Sequence, residues 1–512
     1  MKTFKTFIPM KAAAIGAVAL SLFVASCSKS NDDYTPGEQF VIAPNVNVVA
    51  LTQDNKLVAF NAQTGAALTQ QATITGMQSG ENMLAIDYRP ATGELYGVSS
   101  GSRVYVINPT TGVARAINAT PFTPAIDGTT VGIDFNPTVD RIRLVSSNGQ
   151  NLRINPETGA VTVDAVINGA VGAKVSSVAY TENRAGAATT ILYDIDAVTK
   201  KLYKQDPPND GKLVEVGNLG VEATAVADFD IAPDSKSALA PITVGTTQGM
   251  YVIDLATGKA YQAATFNNKV ISMAITTDPV AYGVSANNEL LIFNPGAASP
   301  TPVAKAITGL QAGESILGID FRPVNGQLYG LGSSSRLYTI NAASGAATAV
   351  GTAAFATALS GTSFGFDFNP TVDRIRVVSN TGQNLRLNPN DGTIAGVDGP
   401  LTTASQFVNG AAYTNNFAGA TTTVLYDINS QTGKLYRQDP PNDGTLTEVG
   451  SLGVTIDAAN GFDISAKSNT GYAVLTVGTT TRLYAINLTT GFATAGSTLT
   501  QSMRGFALGL GF

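Results

Sequence analysis

The sequence predicts an all-β protein assembled from two tandem copies of one unit, on three observations. The chain holds 52 glycines, with 44% hydrophobic and only 13% charged residues, which suits short strands joined by tight turns and argues against disorder. Strand-like runs alternate with turn signals, and no segment beyond the N-terminus sustains the 3.6-residue apolar period of a helix. Whole phrases also recur at one spacing. DFNPTVDRIR occupies Asp134–Arg143 and Asp367–Arg376, QDPPNDG occupies Gln205–Gly211 and Gln438–Gly444, and AIDYRP at Ala85–Pro90 is echoed by GIDFRP at Gly318–Pro323, each pair 233 residues apart. A constant offset over so long a span means duplication with almost no insertion.

The N-terminus reads as an address. Residues 1–26 carry Lys2, Lys5 and Lys11, then an apolar run from Ala12 to Val24 that is too short to span a bilayer comfortably, the pattern of a signal peptide. Val24-Ala25-Ser26-Cys27 resembles the lipobox of bacterial lipoproteins, in which the Cys is acylated and becomes the first residue of the mature chain. Cys27 is the only cysteine, so lipidation is its expected role and no intrachain disulfide exists. Residues 27–46 are polar, acidic and turn-rich, the composition of a tether. Asp32 and Asp33 loosely resemble the export tag of Bacteroidetes surface lipoproteins, which points to the outer membrane, on its periplasmic or its exposed face.

The two units are expected at 47–279 and 280–512. Within each, a weaker sub-repeat begins with a short apolar strand, as at Ile86–Pro90, Ile133–Pro137, Val178–Thr181 and Phe229–Pro233, followed by three further strands separated by turns. Five such modules of about 47 residues fit in one unit, the size of a propeller blade. Residues 47–76 lack a first strand, whereas Val270–Thr276 and Met503–Phe512 are first strands without a blade. Each unit can thus close its own ring and hide its sheet edges. The expected architecture is two five-bladed β-propellers, ahead of a single ring of ten blades or another all-β stack. In the second module Asn148-Gly149 signals a two-residue hairpin, which would set Arg153 opposite Leu144 and on the other face from Arg141 and Arg143.

The strings GIDFRP, DFNPTVDRIR, GQNLRLNP, AAYTNNFAGATTTVLYDI and QDPPNDGTL, in that order, resemble the bacterial family known as domain of unknown function 4394. The resemblance covers nearly all of the mature chain, once per unit, and is closer in the second. It implies an exported, propeller-like protein and supplies no activity.

Composition excludes several chemistries. The chain has no His, which removes Ser-His-Asp catalysis and His-ligated metals. It has no Trp, so stacking on a sugar would fall to Tyr or Phe. A net charge of -6 with no basic run argues against nucleic acid as a partner.

Three groups of residues have chemistry to weigh. Asp87, Asp134 and Asp230, with Asp320, Asp367 and Asp463, hold equivalent places in first strands. Converging carboxylates could hold a hard cation such as Ca²⁺. The favoured alternative is that each caps backbone N–H groups or pairs with Arg between modules, Asp134 with Arg141, and no cofactor is required. Asp140, Arg141, Arg143, Gln150, Asn151 and Arg153, repeated as Asp373, Arg374, Arg376, Gln383, Asn384 and Arg386, form the densest polar group and are the candidate ligand-binding set. Internal salt bridging is favoured for them. The carboxylates of QDPPNDG read first as turn chemistry. Tyr96, Tyr105, Tyr193 and Tyr203 read as core fillers.

The functional expectation is a membrane-anchored, non-catalytic binding or scaffold protein for a glycan, a peptide or an envelope protein, touching the membrane through its lipid alone. The alternative is a glycan-directed hydrolase or lyase using Asp or Glu, Tyr or Arg in place of His.

Overall fold

The computed structural model describes residues 40–402 and 407–512. Cys27, the signal peptide and most of the tether lie outside the described residues. The described chain is all-β: ten antiparallel sheets, nine of four strands and one of five, with two single-turn 3₁₀ helices at Pro208–Asp210 and Pro441–Asp443.

Each sheet has one strand that faces its counterparts in neighbouring sheets. These inner strands are β1 (Met83–Tyr88), β2 (Val131–Asn136), β3 (Ser177–Tyr180), β4 (Asp230–Ile231) and β5 (Val270–Ile275) in the first half. In the second half they are β6 (Ile316–Arg322), β7 (Phe364–Asn369), β8 (Val408–Tyr413), β9 (Ala458–Ile464) and β10 (Arg504–Leu508). Their contacts run in cyclic order. β1 meets β2, β2 meets β3, and so on until β5 meets β1, and β6 to β10 repeat the cycle. Closure is by hydrogen bonding between distant segments: β5 pairs with Asn47–Thr52, and β10 pairs with Ala281–Val284.

The turns between outer strands share one device. The Oδ1 of Asn61, Asn108, Asn341 and Asn487, and of Asp254, accepts backbone N–H groups two and three residues ahead, at 2.8 to 3.3 Å. This is the reason Asn or Asp starts these turns: the short side chain substitutes for a strand partner.

Cores form between neighbouring sheets. Tyr96 meets the Phe135 ring edge-on with centroids 5.2 Å apart, and Tyr329 meets Phe368 at the same distance in the second half. Tyr96, Tyr105, Tyr193 and Tyr203 are all buried. The halves touch one another: the Tyr282 hydroxyl donates to Ala91 O at 2.8 Å, and Gly511 N to Thr92 O at 2.8 Å.

The hairpin after Arg143 differs from the sequence expectation. Ser146 N bonds Gln150 O and Gly149 N bonds Ser146 O, so the loop has three residues, Ser147 to Gly149, with Gly149 at φ 84°. A three-residue loop ending in a left-handed glycine is the next commonest hairpin after the two-residue one. The extra residue shifts the register by one and sets Arg153 opposite Arg143, not Leu144.

Candidate functional site

At the centre of each half, five equivalent positions on the inner strands face one another. In the first half they are Asp87, Asp134, Ala179, Asp230 and Ala274; in the second, Asp320, Asp367, Ala412, Asp463 and Ala507. In each half the three carboxylates converge, each offering one oxygen, with those oxygens all within 4.8 Å of one another, and all six residues are buried. Each also bonds the backbone of the next inner strand. Asp87 accepts Phe135 N at 2.7 Å, Asp134 accepts Tyr180 N at 3.0 Å, and Asp230 accepts Ile275 N at 2.5 Å. Asp320, Asp367 and Asp463 do the same with Phe368, Tyr413 and Leu508 N at 2.7, 3.0 and 2.6 Å.

These bonds supply the backbone capping that the sequence led us to expect. The expected Arg partner is different: among the described residues none of the six forms an ion pair, and Arg141 donates to Asp140 O at 2.7 Å. Burial pushes Asp87, Asp134 and Asp230 well up from the usual carboxylate range, and repulsion from neighbouring carboxylates, Asp228 among them, adds to it. Burial likewise raises Asp320 and Asp367, and takes Asp463 to about 7.

Two residues before these positions the halves differ at four places of five. The second half has five glycines there, Gly318, Gly365, Gly410, Gly461 and Gly505; the first has Ala85, Gly132, Ser177, Asp228 and Ser272. A Cβ on Gly461, the counterpart of Asp228, would lie 2.7 Å from Phe506 N, so the strands approach too closely for a side chain there. In the first half that space holds polar bonds instead. Asp228 accepts Met273 N at 2.9 Å and the Ser272 hydroxyl, and Ser272 Oγ accepts Ile86 N at 2.9 Å. Sequence reasoning missed Asp228. The signal was present, since Asp228 against Gly461 and Ser272 against Gly505 are two departures from an otherwise close duplication.

The second candidate set divides in two. Arg143, buried, donates to Asn151 Oδ1, Asp164 Oδ2 and Asn209 Oδ1, each at 2.7 Å, and Arg153 grips Asp164 at 2.7 and 2.8 Å. Asn209 belongs to the QDPPNDG turn of the next sheet, so this network ties two sheets together. Arg376, Asn384 and Arg386 repeat it with Asp398 and Asn442. Arg143 and Arg153 therefore do share one cluster, which follows from the shifted register.

Asp140 lies elsewhere, against Arg89, which donates from Nε at 2.9 Å and from Nη2 to Glu157 at 2.9 Å. Asp373 holds the same place against Arg322, and Arg374 donates to Asp373 O at 2.8 Å. Gln150 and Gln383 fasten loops, donating to Ala125 O at 2.8 Å and Ala358 O at 2.9 Å. Asp164, Asn209, Arg89 and Glu157 were invisible as partners from sequence, because each lies in a different strand or turn from the residue it binds.

Asp194 and Asp427 are fully buried carboxylates whose oxygens have no hydrogen-bond partner. Burial raises both, Asp427 to about 8, partly opposed by Arg376, and Asp194 in the same direction, opposed by Arg143. An unfolded Asp titrates near 3.9. Between about pH 4 and pH 8 the folded state therefore holds more protons than the unfolded one, and stability falls as pH rises through that window. Thermal unfolding at fixed ionic strength is expected to give a Tm several degrees lower at pH 8 than at pH 5. The double variant Asp194→Asn/Asp427→Asn should flatten that slope; an unchanged slope would rule these two groups out as its source.

Among the described residues no helix is long and apolar enough to cross a membrane. The family described as "Domain of unknown function (DUF4394)" matches the chain twice, over residues 56–275 and 289–507. No curated protein matches. Among solved structures, the chain is similar to the extracellular domain of a putative one-component system from B. thetaiotaomicron. The identity is 11% over 90% of this chain and 67% of that one, with a TM-score of 0.25.

Proposed function

Because the chain belongs to the family described as domain of unknown function 4394, with two copies of that domain in tandem, we propose that it is an exported outer-membrane lipoprotein presenting two five-bladed β-propellers as a non-catalytic binding scaffold. The cyclic order of the inner strands, with β5 and β10 each joined to the start of its own half, supports two rings of five blades. Such closure removes exposed sheet edges. The lipobox-like Val24–Cys27 supports the anchor.

The observation that carries the non-catalytic reading is the engagement of the densest polar cluster. Arg143, Asn151, Arg153 and Asp164 are bound to one another and to Asn209, so this cluster holds sheets together and presents no free acid–base pair. Recognition then falls to loops on a rigid core, the usual place for it, with a glycan, a peptide or an envelope protein as partner.

The test has two arms. The full-length chain, expressed in a Gram-negative host, should incorporate labelled fatty acid and fractionate with the outer membrane, while Cys27→Ala should be exported without label. An unlabelled wild type would end the anchor reading. Thermal unfolding against glycans and peptides should find a stabilising ligand, worth about 2.7 kcal/mol at a hundredfold excess over its Kd, with no product formed. Turnover of a glycan would replace this reading with the hydrolase or lyase alternative.

A further inference from the structure

We propose that the central carboxylate cluster of each half binds one hard divalent cation, with Ca²⁺ as the best fit, and that the cluster of the first half binds it more tightly. This does not depend on the scaffold reading.

Three observations carry it. The first is geometry. One oxygen from each of Asp87, Asp134 and Asp230, and again from Asp320, Asp367 and Asp463, lies within 4.8 Å of the others. Ca²⁺ takes oxygen ligands at about 2.3–2.6 Å, so oxygens with that mutual spacing can share one ion. The second is charge. Three buried carboxylates meet with no Lys or Arg ion pair on any of them among the described residues. Burying like charges without a counter-charge is costly, and a cation at their centre removes that cost.

The third observation is a set of buried polar atoms without partners, some of them on residues outside the acidic clusters. Asn183 is fully buried beside Asp230, and neither its Nδ2 nor its Oδ1 completes a hydrogen bond of good geometry. In the other half the equivalent Asn416 is buried with its Oδ1 unpartnered. Asp134 Oδ2 and Asp367 Oδ2, of the clusters themselves, are unpartnered as well. Buried polar atoms are rarely left without a partner. An oxygen-seeking cation would take the unpartnered oxygen of Asp134 or Asp367 as a ligand, together with one oxygen from each of the other two carboxylates of that half, whose oxygens already accept backbone N–H groups. It would also tie three inner strands of each half together.

The preference for the first half follows from Asp228. It places a fourth buried carboxylate two residues before Asp230, bonded to Ser272 and to Met273 N of the next inner strand, where the second half has Gly461. More carboxylate charge around a Ca²⁺ site raises affinity.

The experiment uses the full-length chain in detergent. Elemental analysis after purification without chelator should find two divalent cations per chain. Chelator should lower Tm, added Ca²⁺ should restore it, and Mg²⁺ should do so less. Calorimetric titration of the stripped protein with Ca²⁺ should resolve two classes of site, about tenfold or more apart in Kd. Asp134→Asn keeps the acceptor for Tyr180 N and should abolish the tighter class; Asp367→Asn should abolish the weaker.

Asp228→Gly/Ser272→Gly should bring the tighter class down to the weaker. Should that variant fail to fold, loss of the tighter class in Asp134→Asn and of the weaker in Asp367→Asn still decides the order. Absence of bound metal together with a Tm indifferent to Ca²⁺ and chelator would overturn the proposal, and would mean the clusters are held as neutral acids. Two identical sites would overturn the role given to Asp228.

Discussion

Arg89→Leu is expected to destabilise the protein by about 3–5 kcal/mol, the range for removing one partner from a buried ion pair. The Arg89 side chain is completely buried, with Asp140 and Glu157 as carboxylate partners. It also donates to the Tyr96 hydroxyl at 3.2 Å and, across the boundary between the halves, to Gly326 O at 2.9 Å. Its loss strands the buried Asp140 carboxylate and the Gly326 carbonyl at once, and leaves Glu157 with a single neutral donor, Gln327. The duplication supplies the control. Arg322 holds the same position in the second half, but Asn390 replaces Glu157 and the side chain is 12% exposed. Arg322→Leu should therefore cost only about 1–2 kcal/mol, because water screens the stranded group and only one carboxylate is orphaned. Denaturant unfolding of the two variants side by side measures the difference. Equal losses would mean that Glu157 and the contact to Gly326 contribute nothing.

The second large effect is expected at Arg143. Arg143→Met should cost about 3 kcal/mol, because Asn151 and Asn209 lose a donor in the interior and Asp164 keeps only one of its two cations. Arg153 binds the same carboxylate with a side chain 32% exposed, so Arg153→Met should cost no more than about 1 kcal/mol. The pair Arg376→Met and Arg386→Met should repeat the ratio. A loss at Arg153 as large as at Arg143 would show that the ion pair with Asp164, and not the bridge to Asn209 in the next sheet, is what stabilises this contact.

Part of the candidate site was legible along the chain and part was not. Strand positions, the duplication and the recurrence of Asp on first strands are local or periodic properties, and reading them needs no knowledge of which sheet lies beside which. The three-residue loop at Ser147–Gly149 was misjudged because Asn-Gly suits a two-residue turn equally well. One residue of loop length then decided whether Arg153 faced Arg143. The partners Asp164 and Asn209 could not be found from spacing, since each is brought to Arg143 by a different turn.

By itself the sequence determined an all-β chain, two tandem copies of one domain, and a chemistry without histidine, because composition, period and repetition are properties of the chain alone. Only the tertiary structure decided that three Asp of each half meet, that they meet backbone amides and not arginines, and that Asp228 joins them in one half alone. The physical reason is that an inner strand exposes the same alternating pattern wherever it is placed. What its carboxylates encounter depends on the neighbouring strand, whose bonded amides here lie 45 to 48 residues further along the chain.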